Sequence, residues 1–537
     1  MPNNFYNHWH VLAQAALHRE YKAETMTLLL QRSRLPRTND VHVYTACENG
    51  TSILMSFMVV FSPWAFGTTQ PWSIWTMNAA GYLLGLLLGL KLYIRRIKGY
   101  VPPRWDMESS DIIPEKLKAR FPSAAGLMNI LILLTLCILI YCAASALNAA
   151  ATYDPRKLIF TYHSYKSWLP HSFDRTGTWM AFGNYLALAC SFWAVTDWLA
   201  GKSDAELRPG YKKAGEIYRF LLPARVRTLL WLLCINGALL GLESIAQRLE
   251  GSGRLLFLIK PTINSEGISQ FGPFHYRGNA ASYFNLIWPV CLGFWSTLQS
   301  EGPRDRRQHL LLGCAIIMAA SPIISSSRGG TFIAVGLMGL CFLIFIVSQL
   351  VASGDRLKNW KRRYREVGFM LLFLAGTLAL GMACGWDALG PRLARMDEGF
   401  VARQQLYAAA QPIASDYPIF GIGPGSFGSV FQLYRVAPEV YWPAQLHNDW
   451  LETRITFGWI GSGLIGLALL VMLLRSATAA CIQGRDRLLI GFWLALGGCL
   501  IHARFDFPFQ IYSINFVFLL ICALAFGLSR FCLWQQI

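Results

Sequence analysis

A chain of 537 residues with 54% hydrophobic and only 15% charged positions, and a mean hydropathy of +0.36, has the composition of a polytopic membrane protein and excludes a soluble enzyme. The net charge of +18 would serve nucleic acid only if gathered on one face. It is spread over short loops between apolar runs, where the positive-inside rule accounts for it, so a nucleic-acid partner is set aside. The thirteen cysteines lie mostly inside apolar runs and form no CxxC, which speaks for small core residues and against a disulfide or zinc framework.

In chain order, residues 1–50 are polar and mixed in charge, without the apolar core and cleavage site of a signal peptide. They are expected to form a cytoplasmic tail, in which Trp9, Leu12, Ala16 and Leu28 to Leu30 fit an interfacial helix and a disordered segment equally. Apolar runs near bilayer length then recur. The reading is an all-α polytopic membrane protein with about 12 transmembrane helices, near 51–68, 72–94, 126–148, 178–199, 228–247, 279–298, 310–326, 330–350, 367–386, 455–475, 488–503 and 509–529. Lys and Arg concentrate in alternate loops, including RLKNWKRRYR at 356–365, a headgroup anchor. Both ends are then cytoplasmic, and the largest exported loop is 387–454, expected to carry short helices. The chain divides into the tail (1–50), an N-terminal set of spans (51–269) and a catalytic region (270–530).

The informative residues cluster at the outer ends of the later spans. SSSRGG (325–330) is a tight turn, and its Arg328 reads either as a snorkelling interfacial arginine or as a fork for a lipid-linked phosphate. Arg403 lies in a helix-forming stretch, 401–415, that should stop by Asp416-Tyr417-Pro418. GIGPGSFG (421–428) follows no strand of a βαβ unit, so it is read as a sharp loop folded back on the membrane and not as a nucleotide site. QLHNDWLE (445–452) offers His447 as a general base or a hydrogen-bonded structural histidine, with Asn448 and Asp449 placed to fix its tautomer. A metal held by His447, Asp449 and Glu452 lacks the usual ligand spacing, so no metal is expected. Arg277 and Asn279 in FGPFHYRGNAAS, and Arg504 and Asp506 in HARFDFPFQ, stand at other outer ends, the last two as a pair. Glu243 is an acid deep in a span.

Taken together, SSSRGG, ARQQLYAAAQPIASDYPIFGIGPGSFG and HNDWLETRITFGWIG resemble the O-antigen ligase and polymerase family of bacterial inner-membrane glycosyltransferases, over roughly residues 270–530. The resemblance implies an enzyme of the inner membrane with its active site facing the periplasm and no cofactor. It would move a glycan from undecaprenyl diphosphate to an acceptor hydroxyl on a glycan, lipid A-core or protein, without a metal. Arg328 and Arg403 match the family's donor-diphosphate arginines and His447 its base. Arg277, Asn448, Asp449 and Asp506 are supporting candidates. Ligase, polymerase and protein O-oligosaccharyltransferase share this donor site. A transporter or flippase would instead place polar groups and broken helices at mid-membrane.

Overall fold

The structure is a computed structural model and describes residues 38–105, 124–207, 222–263, 266–301, 308–351, 360–435, 444–483 and 487–531. The interfacial pattern between Trp9 and Leu30, and half of the basic 356–365 segment, lie outside these residues.

Long apolar runs, with no water to satisfy their backbone in a bilayer, close their own hydrogen bonds as helices. A helix occupies each stretch read as a span. These are α1 (Thr38–Trp64), α2 (Pro71–Arg96), α3 (Ala124–Leu147), α4 (Arg175–Leu199), α6 (Ala224–Glu250), α7 (Arg277–Glu301), α8 (Gln308–Ile324), α9 (Arg328–Val351), α10 (Trp360–Ala394), α13 (Asp449–Gln483), α14 (Arg487–His502) and α15 (Tyr512–Phe531). Six of them, α2, α3, α6, α9, α10 and α13, contain a segment long and apolar enough to cross a membrane, while α8, α14 and α15 hold shorter apolar segments. The fold is an all-α polytopic membrane protein.

The departures from expectation are local. α1, described from Thr38, lies partly inside the stretch read as a tail, and its Glu48 is tied to the bundle by Lys91 of α2 at 2.8 Å. A short helix, α5 (Asp204–Leu207), follows α4. The loop after α3 carries an antiparallel hairpin of β1 (Ala151–Asp154) and β2 (Ile159–Tyr162), pairing Ala151 with Tyr162. The 387–454 loop is less irregular than expected. α10 runs on to Ala394, and α11 (Met396–Asp416) is a 21-residue helix that ends where the sequence placed its stop. α12 (Phe427–Val430) and the 3-10 turn Phe431–Leu433 that follows it are short.

The main core is built around α7, which packs most extensively on α14 and α8. Tyr283, Phe284, Trp288 and Phe294 are fully buried there. A second, smaller core of Ala410, Ile413, Ile422, Phe427, Phe431, Leu446 and Ile455 joins α11, the glycine-rich loop and the start of α13. The glycine-rich loop is a clamp. Ile422 and Gly423 donate to the carbonyls of Ile455 and Thr456 at 3.0 Å each. Gly421 (φ +67°) and Gly458 (φ +60°) lie so close that a Cβ on Gly421 would stand 2.6 Å from the Gly458 nitrogen. Only glycine tolerates both the left-handed backbone and that approach. The clamp breaks α13 at Gly458 and fixes the segment 444–452 just ahead of the break.

Candidate active site

Five chain segments meet at one end of the bundle: the start of α7, the start of α9, the α10–α11 junction, residues 446–449 before α13, and the turn between α14 and α15. Backbone bonds weld the last two, since Asp449 N donates to Ala503 O at 2.8 Å. Asp449 in turn accepts from Phe509 N (2.8 Å) and Gln510 Nε2 (3.3 Å). Asn448 Oδ1 accepts from Leu451 N at 3.2 Å and caps α13. Glu452 accepts from Leu446 N at 2.8 Å. These three polar residues therefore hold the local backbone, and neither Asn448 nor Asp449 touches the His447 ring.

The partner of His447 is Asp506. His447 Nδ1 lies 3.0 Å from Asp506 Oδ1, across 59 residues of sequence. Burial works against the Asp506 charge, but the hydrogen bond and charge of His447, with Arg403 and His502 nearby, outweigh it and hold the carboxyl at about 2. An ionised carboxylate only accepts, so in the neutral form of the imidazole the proton sits on Nδ1 and the Nε2 lone pair is left for another partner. The ring is wedged edge-on between Phe507 (centroids 4.6 Å apart) and Tyr276 (5.7 Å). Its backbone is left-handed, φ +57°, a conformation that costs a non-glycine residue roughly 1–3 kcal/mol. The Tyr407 hydroxyl steadies it by donating to the His447 carbonyl at 2.7 Å.

Asp506 is a hub. Its Oδ2 accepts from the Tyr276 hydroxyl at 3.3 Å and lies 3.9 Å from both Arg403 Nη2 and His502 Nε2. His502 is buried and bonds Ser282 through Nδ1 at 2.8 Å. Burial, followed by the Asp506 charge, pushes the Tyr276 phenol up to about 12, so it stays a donor. The pairing of Asp506 with Arg504 expected from their spacing does not form. Arg504 instead lies 6.0 Å over the Phe505 ring.

Arg403 projects from α11 to this hub, donating to the Phe505 carbonyl and to Tyr276 Oη at 3.4 Å. Arg328, the first residue of α9, donates to the Arg395 carbonyl at 2.8 Å. Arg277, the first residue of α7, donates to Ile268 O (3.0 Å) and Ser269 Oγ (3.3 Å). Arg277 is close enough to feel the charges of Arg328 and Asp506, so it links the arginine side of the site to the histidine side. Asn279 is buried in α7. Among the described residues no group of three His, Cys, Asp or Glu is arranged to hold a metal ion.

Tyr276, Tyr407 and Arg392 were not singled out by sequence. Two carried a usable signal: Tyr276 adjoins Arg277, and Tyr407 follows Arg403 by one helical turn.

The fold and site together are those of an all-α polytopic membrane protein with a His–Asp pair and several arginines gathered at one end of its helical bundle. Residues 313–471 match the family model described as O-antigen ligase, which bears out the resemblance read from the motifs and places the protein's role in surface-polysaccharide assembly. The matched segment runs from α8 into α13 and contains Arg328, Arg403 and His447; Arg277 and Asp506 lie outside it. No curated protein matches the chain.

Proposed function

We propose that the protein is an O-antigen ligase-like glycosyltransferase of the bacterial inner membrane. It moves a glycan from undecaprenyl diphosphate to an acceptor hydroxyl at the periplasmic face. The acceptor is a sugar hydroxyl of another glycan or of lipid A-core, or a protein hydroxyl. The observation that carries the proposal is the His447–Asp506 pair at 3.0 Å beside the guanidinium group of Arg403.

In this reading His447 Nε2 takes the proton of the acceptor hydroxyl as its oxygen bonds to the anomeric carbon. The bond from that carbon to the diphosphate oxygen breaks, and its electron pair leaves on the diphosphate. Asp506 stabilises the imidazolium that forms and holds the ring. Arg328 and Arg403 receive the charge of the leaving group, which is already a weak base and needs no general acid. Cations fixed in a water-poor site do the work a divalent metal does elsewhere. Chelators should accordingly leave turnover of the purified protein unchanged.

The test uses purified full-length protein with a lipid-diphosphate-linked glycan and a hydroxyl acceptor. His447→Ala should lower turnover by about 10²–10⁴ while donor binding persists. Arg403→Ala should weaken donor binding as well as rate. Equal loss of donor affinity in both variants would return His447 to a structural or donor-site role.

A further inference from the structure

The sequence reading pairs two arginines with the donor, yet the structure gathers others around Arg328. The hydrogen bonds trace the arrangement. Residues 267–270 are gripped from two sides, by Arg248 of α6 through the carbonyls of Gly267 (3.2 Å) and Gln270 (2.7 Å) and by Arg277 through Ile268 and Ser269. Arg248 also reaches the Ser325 carbonyl at 3.2 Å, three residues ahead of Arg328. Arg328 in turn binds the Arg395 carbonyl, and Arg392 stands three residues before Arg395, at the end of α10. The four side chains act on one another electrostatically: Arg248 feels Arg277 and Arg392, and Arg392 feels Arg277 and Arg328. None of the four forms an ion pair among the described residues. A cavity of about 210 Å³ adjoins Arg248, lined with it by Gln247, Gly251, Gly253, Gly267, Ile268 and Gln270; Arg277, Arg328 and Arg392 do not line it.

Like charges held together with no carboxylate in ion-pair contact among the described residues repel one another, so an anion that completes the cluster stabilises it. The four differ in what they have left to give. Arg248 is committed to three carbonyls and Arg277 to two acceptors, whereas Arg392 makes no hydrogen bond among the described residues and its Nε is buried without a partner. We infer that Arg392 is a binding residue for a diphosphate, acting beside Arg328 and Arg277, with Arg248 as a positioning residue that holds residues 267–270 and the Ser325 turn in place. The inference rests on the donor reading above and extends it to a residue on α10. A guanidinium fork matches the phosphate oxygens geometrically as well as in charge.

Diphosphate chemistry could reach this place from a polyprenyl donor, and a single phosphate from a bilayer headgroup. The experiment separates them. Full-length protein in nanodiscs is titrated with a short polyprenyl diphosphate, the matching monophosphate, and phosphatidylglycerol supplied in the disc. Wild type should prefer the diphosphate. Arg392→Gln should weaken diphosphate binding roughly ten- to hundredfold, the loss of a charge-assisted bond, and monophosphate binding less. Arg392→Met replaces that variant if the glutamine form is not recovered folded. If Arg328→Gln abolishes diphosphate binding while both Arg392 variants bind as wild type, the role of Arg392 is overturned and the donor reading stands. If wild type shows no preference for the diphosphate over the monophosphate or phosphatidylglycerol, the donor reading falls and the inference with it.

Discussion

Two charged regions of this bundle are built on opposite plans. Between α1, α2, α4 and α6, Lys91 is fully buried 2.8 Å from Glu48 and 2.9 Å from Asp197. Arg95 (2.7 Å) and Arg104 (2.9 Å) share Asp197, and Arg225 takes the other oxygen of Glu48. Every cation there touches a carboxylate. Of Arg248, Arg277, Arg328 and Arg392, none does among the described residues, and the nearby Asp506 bonds His447 and Tyr276. Burying charge is costly unless it is paired, so the first region is finished by folding, whereas the second, in the proposal above, is finished by a ligand. The contrast separates structural charge from functional charge where a count of basic residues would treat them alike.

The largest expected effect lies at the unfinished end and falls on rate: His447→Ala, at about 10²–10⁴ in turnover, should leave the thermal unfolding temperature close to wild type. A variant that unfolds instead would make His447 a structural residue. At the finished end the cost should fall on the fold. Asp197→Ala removes the carboxylate that Lys91, Arg95 and Arg104 share, and removing one partner of a buried pair costs roughly 3–5 kcal/mol. Thermal unfolding in detergent should register this, and an unchanged transition would show that the network is not needed for stability. Acid should strike the site next. Asp506 is held at about 2 in the folded protein, against about 3.9 for a free aspartate. Its contribution, roughly 2–3 kcal/mol, is complete above pH 4 to 5 and drains away as pH falls toward 2. Hydrogen exchange in the 503–511 turn should rise over that window, and Asp506→Asn should abolish the dependence. The smallest effect is a sign: Arg392→Gln relieves repulsion in the empty cluster and should leave stability unchanged or raise it by under about 1 kcal/mol, while diphosphate should protect wild type more than the variant. Sidedness is checked with single cysteines on a cysteine-free background: Leu433→Cys should react with an impermeant reagent added outside and Ile97→Cys should not, both positions being exposed.

Much of the architecture was legible because a membrane leaves a chain few choices. The helical stretches follow from run length, and the stop of α11 follows from Tyr417-Pro418. Arg328, Arg403 and His447 were legible as residues placed at span ends beside glycine-rich turns. Their partners were not. Asp506 lies 59 residues from His447 and looks, by spacing, like a mate for Arg504. Asn448 and Asp449 looked like orienting groups because they adjoin the histidine, but neighbours on a helix start point along the backbone, and there they cap and brace it. Arg392 sits in an ordinary basic helix end, PRLARM, and gains meaning only when the starts of α7 and α9 arrive beside it. The small hairpin of β1 and β2 escaped notice because two four-residue strands carry too little periodicity to stand out.

The left-handed backbone at His447 has a practical consequence for chemical complementation. Most replacements there must pay for the conformation, but glycine adopts φ +57° without strain. His447→Gly should therefore keep the turn and leave an imidazole-sized opening between Phe507 and Tyr276, with the Asp506 carboxylate waiting at its floor. Free imidazole added to that variant has a docking point already shaped for it, and 4-substituted imidazoles of graded basicity would turn this position into a dial on the proton-transfer step.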